Sequence, residues 1–170
     1  MTVTLAEHDP GWFAEYEAER MRLLAQVPCL IALHHIGSTS VPGILAKPII
    51  DMLGEVGGFT KLDAATDAFE TLGYEVMGAF GIPGRRYFRK TTSAGRRSHH
   101  LHVFTTGSEH LERRLAFRDY LRAHPSVARA YSELKARLLE KSDDAEAYMD
   151  GKDPFIKDIE ARALEWARGR

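Results

Sequence analysis

Apolar residues recur at helical spacing through Trp12, Tyr16, Leu23 and Val27, with Phe13 and Leu24 beside them, so the chain opens with an amphipathic helix after the turn at Asp9-Pro10. Its stripe should cover a sheet. The first strand candidate is Leu30 to Ile36, then comes the turn-rich GSTSVPG, then a second apolar strand from Pro48 to Leu53. A helix is expected near Thr60, where Thr60 and Asp63 stand at capping-box spacing and Leu62, Ala65, Phe69 and Leu72 mark a buried face. Gly73 should end it.

From Tyr74 to Phe104 the pattern turns to strands, at Tyr74 to Met77, Arg85 to Thr91 and His99 to Thr105, and the loop TSAGRRS suggests that the last two pair antiparallel. The remainder is helical, with Leu111 and Leu115 in one segment, Val127, Tyr131, Leu134 and Leu138 in a second, and Phe155, Ile159, Ala163 and Trp166 in a third. Pro125 and Pro154 each fit a helix start. This order predicts an α+β fold, a mixed and mostly antiparallel sheet flanked by helices. One domain should span residues 1–170, with 108–170 a mainly helical part packed on the sheet.

The 170 residues carry 23 Lys plus Arg against 24 Asp plus Glu, and 44% are hydrophobic. That is a globular composition, and the near-zero net charge argues against general nucleic-acid binding. The single cysteine, Cys29 in VPCLIAL, excludes an internal disulfide and a multi-Cys zinc site, and reads as a packed thiol. No stretch approaches the ~20 apolar residues of a bilayer span, and MTVTLAEHDP lacks the features of a signal peptide, so a cytoplasmic location without membrane contact is expected.

The densest chemical signal is HHIGSTSVPGILAKPIIDM, from His34 to Met52. Gly37 lets the backbone approach an anion closely, and Ser38, Thr39 and Ser40 offer short donors to phosphate oxygens. Hydroxyls also fill such turns for local backbone bonding alone. On the next strand Asp51 alternates with Ile50 and Met52, and a carboxylate among apolar neighbours costs several kcal/mol unless paired or metal-bound. Its partner is either an arginine in a buried ion pair or a divalent ion in a cleft.

In GRRYFRKTTSAGRRSHHLHVF, from Gly84 to Phe104, His100, His102 and Phe104 share one strand face. The two histidines can bind a metal, donate to phosphate or move a proton; equally they can be hydrogen-bonded parts of a half-buried strand. Of the six bases Arg85, Arg86, Arg89, Lys90, Arg96 and Arg97, one or two are expected to face a site, since guanidinium groups match phosphate oxygens and most such charges are solvated. Tyr131, Lys135, Tyr148 and Lys152 can close a wall of the same cleft or serve as packing and surface residues. There is no G-x-x-x-x-G-K-[ST] loop, GAFGIPG lacks the G-x-G-x-x-G spacing, and neither G-x-S-x-G nor H-E-x-x-H occurs.

The segments HIGSTSVPG at 35–43, AKPIIDM at 46–52, GRRYFRK at 84–90, HHLHV at 99–103, LAFRDYLRAHP at 115–125 and YMDGKDPFIKDIE at 148–160 together resemble the GrpB-like family over nearly the whole chain. That family is similar in fold to the nucleotidyltransferases, whose pattern is a hydrophobic residue, Gly and Ser, then after about ten residues an acidic residue with a second acid two places on. Ile36, Gly37, Ser38 and Asp51 match the first part. The second acid should stand at 53, where this chain has Leu53; Glu55 is the nearest carboxylate.

The resemblance implies a small phosphate-bearing ligand, with a nucleoside triphosphate as substrate or ligand. Gly37, Ser38, Thr39, Ser40, Lys47, Arg86 and Arg89 would bind its phosphates, Asp51 with His100 and His102 would hold Mg2+ or Mn2+, and Ser38, Asp51 and His102 would be catalytic. The reaction would be transfer of a nucleoside monophosphate to a small acceptor. The alternative is an accessory module, linked to coenzyme A metabolism, that holds the same ligand without turnover. A third reading is a partner-binding scaffold using the C-terminal helices.

Overall fold

The computed structural model describes residues 3–142 and 144–170. Its first helix, α1 (Gly11–Gln26), buries Trp12 and Leu23 on one side of a five-stranded sheet. The strands are β1 (Ala32–Ile36), β2 (Ile50–Val56), β3 (Tyr74–Val76), β4 (Arg86–Thr91) and β5 (Arg97–Thr105). Their spatial order is β1-β2-β5-β4-β3. Only β2 and β5 run parallel; the other three pairings are antiparallel. The β4–β5 hairpin forms as its loop suggests, closed by Thr92 N donating to Arg96 O at 2.7 Å.

Alternation along the strands sorts the two faces. Ile50 and Met52 of β2, Phe88 of β4 and Leu101 and Val103 of β5 join the main core under α1 and under two short helices, α2 (Phe59–Asp63) and α3 (Thr66–Thr71). Asp51, Leu53, His100, His102 and Phe104 lie on the opposite face. There Leu53 and Phe104 pack with Ile36, Leu111 and Leu115 beneath α4 (Glu109–Ala123), which runs with α5 (Pro125–Lys141) and α6 (Ala145–Arg168). The molecule is therefore three-layered, helices over both faces of the sheet. Among the described residues no helix is long and apolar enough to cross a membrane.

Two boundaries differ from the sequence pattern. The helix expected from Thr60 is two short ones, and the residue before it is Gly58 with no side-chain cap, so Thr60 and Asp63 form no capping box. Gly73, at φ +94°, does end the second piece. Pro154 lies inside α6 rather than at its start. That helix is capped by Asp144, whose carboxylate accepts from Ala147 N at 3.0 Å. Pro154 removes one ladder donor, but Tyr148 and Lys152 before it and Ile159 and Ala163 after it are all buried, so packing carries the helix through.

The core under α1 contains a charge. Glu19 is fully buried, and its carboxylate accepts from Tyr74 Oη at 3.1 Å, Lys90 Nζ at 2.5 Å and Arg22 Nε at 3.1 Å. Lys90, on the face opposite Asp51, is thereby committed to fastening α1 to β4.

Candidate functional site: a cationic cavity at the Ser38 turn

The backbone leaves β1 through Gly37, at φ 73° and ψ −177°, a conformation open in practice only to glycine. A Cβ on Gly37 would meet the Cβ and Oδ2 of Asp51 at 3.0 Å, so the missing side chain is what lets the turn lie against the carboxylate. Residues Ser38–Ser40 then form one short helical turn, closed by Ser40 N donating to Gly37 O at 3.0 Å. Two of its three hydroxyls are used internally. Ser40 Oγ donates to Gly37 O at 2.5 Å, and Thr39 Oγ1 contacts His35 Nε2 at 2.8 Å while donating to Ile49 O at 3.4 Å. Ser38 lines the cavity, and its hydroxyl accepts from Lys135 Nζ at 2.7 Å.

Parallel pairing of β2 with β5 sets Asp51 opposite His100 and Leu53 opposite His102. His102 Nε2 lies 3.0 Å from Asp51 Oδ1, which is itself buried. Arg85 Nη1 stands 3.2 Å from His102 Nδ1. A guanidinium only donates, so Nδ1 accepts and a neutral His102 carries its proton on Nε2, toward Asp51. Arg85 is anchored by donating to the carbonyls of Ala79 and Phe80 at 3.2 and 2.9 Å. Burial pushes the Asp51 carboxyl up; His102 beside it, with His100 and Arg114, outweighs this and holds it below its ordinary value. Burial brings His100 down to about 4, against a smaller opposing pull from Asp51.

The helical layer supplies the facing wall. Tyr131 and Lys135 of α5, and Tyr148 and Lys152 of α6, repeat the same Tyr-x-x-x-Lys step, and each lysine Nζ lies 4.5 Å from its own tyrosine ring. Lys135 also donates to the Leu45 carbonyl. Lys135 is 2% and Lys152 8% exposed. Burial, then the neighbouring lysines, bring Lys135 down to about 7, and burial with Lys47 brings Lys152 to about 8. Lys47 and Arg114 complete the charged lining of a cavity of about 320 Å3, in which Asp51 is the only carboxylate among the described residues. The arrangement presents four basic side chains to whatever enters, with a short hydroxyl-bearing turn at its floor.

A model of the GrpB protein family matches residues 2–162. The chain belongs to the GrpB family. It is 42% identical over 170 residues to the UPF0157 protein YqkA of Bacillus subtilis, covering 99% of this chain and 49% of that one, so it spans about half the length of that relative. Among solved structures it is similar to the conserved protein GrpB from Enterococcus faecalis, at TM-score 0.90 and 41% identity over 96% of this chain and 99% of the other. It is also similar to the Cid1 poly(U) polymerase bound to Mg 3'-dATP, at TM-score 0.54 and 13% identity over 77% of this chain and 43% of that one. The last likeness is one of fold: this GrpB chain has a nucleotidyltransferase-like α+β architecture.

The GrpB fold brings Gly37, Ser38, Thr39, Lys47, Asp51, His100 and His102 to one cavity. It leaves Ser40, Arg86 and Arg89 outside. Ser40 is fully buried with its hydroxyl turned to Gly37. Arg86 stands opposite Val103, hence on the other sheet face, and holds Asp63 through donors at 2.8 and 3.1 Å. Arg89 stands opposite His100 but reaches away to Glu75 at 3.3 Å. Leu53 is fully buried with Ile36 and Phe104, and Glu55, on the same face further along, accepts from Thr106 Oγ1 at 2.7 Å and does not line the cavity. Arg114 was not singled out by the sequence, since Arg113-Arg114 looks like the solvated side of an amphipathic helix.

The fit of the donors to a metal can be judged from the same geometry. Asp51, His100 and His102 bring one ligand atom each within 4.8 Å of one another, and a carboxylate among two imidazoles suits a cation. One carboxylate with two imidazoles favours Mn2+ over Mg2+, which prefers an all-oxygen shell. Asp51 and His100 fit directly. His102 joins through Nε2 only when its proton moves to Nδ1 and Arg85 gives up its contact there.

Proposed function

We propose that this cavity binds the triphosphate of a nucleotide and that the protein transfers the nucleoside monophosphate to a small acceptor hydroxyl. The observation that carries this reading is the convergence of the Ser38 turn, Asp51 and the basic side chains Lys47, Arg114, Lys135 and Lys152 on one cavity with a single carboxylate among the described residues. A triphosphate satisfies that imbalance, and its charge would draw Lys135 and Lys152 back toward full protonation. In the transfer, the acceptor oxygen bonds to the α-phosphorus, the bond to the bridging oxygen breaks, pyrophosphate leaves with the electron pair, and the acceptor proton passes to a base or solvent. Lys47, Lys135 and Lys152 would stabilise charge developing on the leaving phosphates. Asp51 and His100, joined by His102 in its other tautomer, would hold Mn2+; when bound, such an ion neutralises phosphate oxygens.

A second reading is favoured by Leu53, which fills with apolar packing the position where a two-metal site needs its other carboxylate. On that reading the same ligand binds and is not turned over. Incubation with each labelled nucleoside triphosphate, Mn2+ or Mg2+ and a metabolite extract separates the two. Pyrophosphate release above an Asp51→Asn control supports transfer; ligand-dependent stabilisation with no release supports binding alone; neither effect contradicts both.

A further inference from the structure

A second groove, of about 420 Å3, adjoins the first and shares with it Lys47, Ile49 and His100. Its other walls are largely apolar, from Val3, Pro48, Tyr87 and Ala145, and it ends at Arg96 and Arg97 at the tip of the β4–β5 hairpin. No carboxylate lines it among the described residues. Arg97 stands beside the Tyr87 hydroxyl, makes no ion pair with any described residue, and keeps its Nε buried without a hydrogen-bond partner. A guanidinium held with one nitrogen unsatisfied carries a desolvation cost, and where it lines the groove its charge favours an incoming anion.

The first cavity offers cations all round, whereas the second offers an apolar trough with Arg96 and Arg97 at its far end and Lys47 at the wall it shares with the first, where a polyanion in the first cavity would engage that lysine. That asymmetry matches an amphiphilic molecule. We infer that this groove binds a small hydroxylated organic acid, its apolar body along Pro48, Ile49 and Tyr87, its anionic group on Arg97 and its hydroxyl at the wall shared with the first cavity. The inference deepens the transfer reading by naming the acceptor class, and in that role it rests on that reading; binding of the acid itself does not. The volume lies within the range of small-ligand sites. With a polyphosphate in the first cavity, Lys47 is engaged and like charge repels the acid group from the shared wall, so the acid group turns to Arg97 and the hydroxyl meets the donor.

The test uses 4-hydroxyphenylacetate and its neutral amide, titrated by backbone NMR into the 15N-labelled protein held with saturating inorganic tripolyphosphate. The acid is expected to shift Thr4, Ile49, Arg97 and Ala145 and to bind at least fivefold tighter than the amide, with Arg97→Gln bringing that ratio below two. Equal binding of acid and amide, or shifts confined to Ser38 and Lys135, overturns the inference. If Arg97→Gln does not fold, the acid-to-amide ratio on the wild-type protein decides alone. Tripolyphosphate titrated first, alone, reads the first cavity by itself through Ser38 and Lys135, so failure there is told apart from failure here.

Discussion

Lys135 Nζ lies 2.7 Å from Ser38 Oγ, across 97 residues of sequence. The contact ties the Ser38 turn of the sheet to the helical layer, and places the buried Lys135 amine at the cavity. An unneutralised ammonium in that position is a cost to the free protein that a bound polyanion relieves.

Lys152 separates stability from binding. It is 8% exposed and held near pKa 8 by burial and Lys47. Lys152→Met should raise the melting temperature by about 2–4 °C, for roughly 1 kcal/mol at this chain length. It should also weaken nucleoside triphosphate binding at least tenfold, or ~1.4 kcal/mol. Scanning calorimetry and titration calorimetry on the same preparation check both.

The affinity for triphosphate should fall as pH rises. In the free protein Lys135 titrates at about 7 and Lys152 at about 8, so at pH 8 both are partly neutral. An anion raises both values, the complex holds more protons than its components, and binding takes up protons between roughly pH 7 and 9. Titration calorimetry at pH 8 in buffers of different ionisation enthalpy should report net proton uptake, reduced in Lys152→Met.

Acid should unfold the protein progressively below pH 6.5. Burial holds His35, His99 and His100 at about 4, below their ordinary 6.5. Between those values the unfolded chain binds protons that the folded one does not, so the stabilisation is complete above 6.5 and is lost as pH falls toward 4. Each group contributes up to ~1.4 kcal/mol per pH unit. Glu19, pushed up by burial but drawn below its ordinary 4.5 by Lys90 and His99, adds a further loss once pH falls below that value. Denaturant titrations from pH 4.5 to 7.5 should show the slope, and His35→Gln should reduce it by about one proton.

Gly37→Ala should damage both turn and carboxylate. The φ of +73° is strained for alanine, and the new Cβ would press on Asp51 at 3.0 Å. A loss of ~1–3 kcal/mol is expected, with weaker Mn2+ binding by electron paramagnetic resonance. Gly43→Ala, at φ +82° with open space around its Cβ, should cost stability and leave Mn2+ binding unchanged.

The strands and the β4–β5 hairpin were legible because alternation and turn residues are local signals. The parallel pairing of β2 with β5, which puts Asp51 beside His100, was not, since no local pattern states which strands become neighbours. Pro154 misled because a proline inside a helix is tolerated only when packing on both sides of it carries the helix. The turn at Gly37 and the acid at Asp51 stood out as chemistry within one short stretch. Lys135 and Lys152 were ambiguous on two remote helices, although a lysine on a buried stripe one turn after a tyrosine, repeated in both, was a usable sign. Arg86 and Arg89 were misplaced because their fate depended on distant acids, Asp63 and Glu75, that meet them only in the folded chain.

The most direct measurement is a crystal structure grown with a non-hydrolysable nucleoside triphosphate and Mn2+, with data collected at the manganese edge. The account predicts phosphate density between the Ser38 turn and Lys47, Lys135 and Lys152, with an anomalous peak within bonding distance of Asp51. Nucleotide and manganese bound together at another surface, with this cavity holding solvent alone, would contradict it.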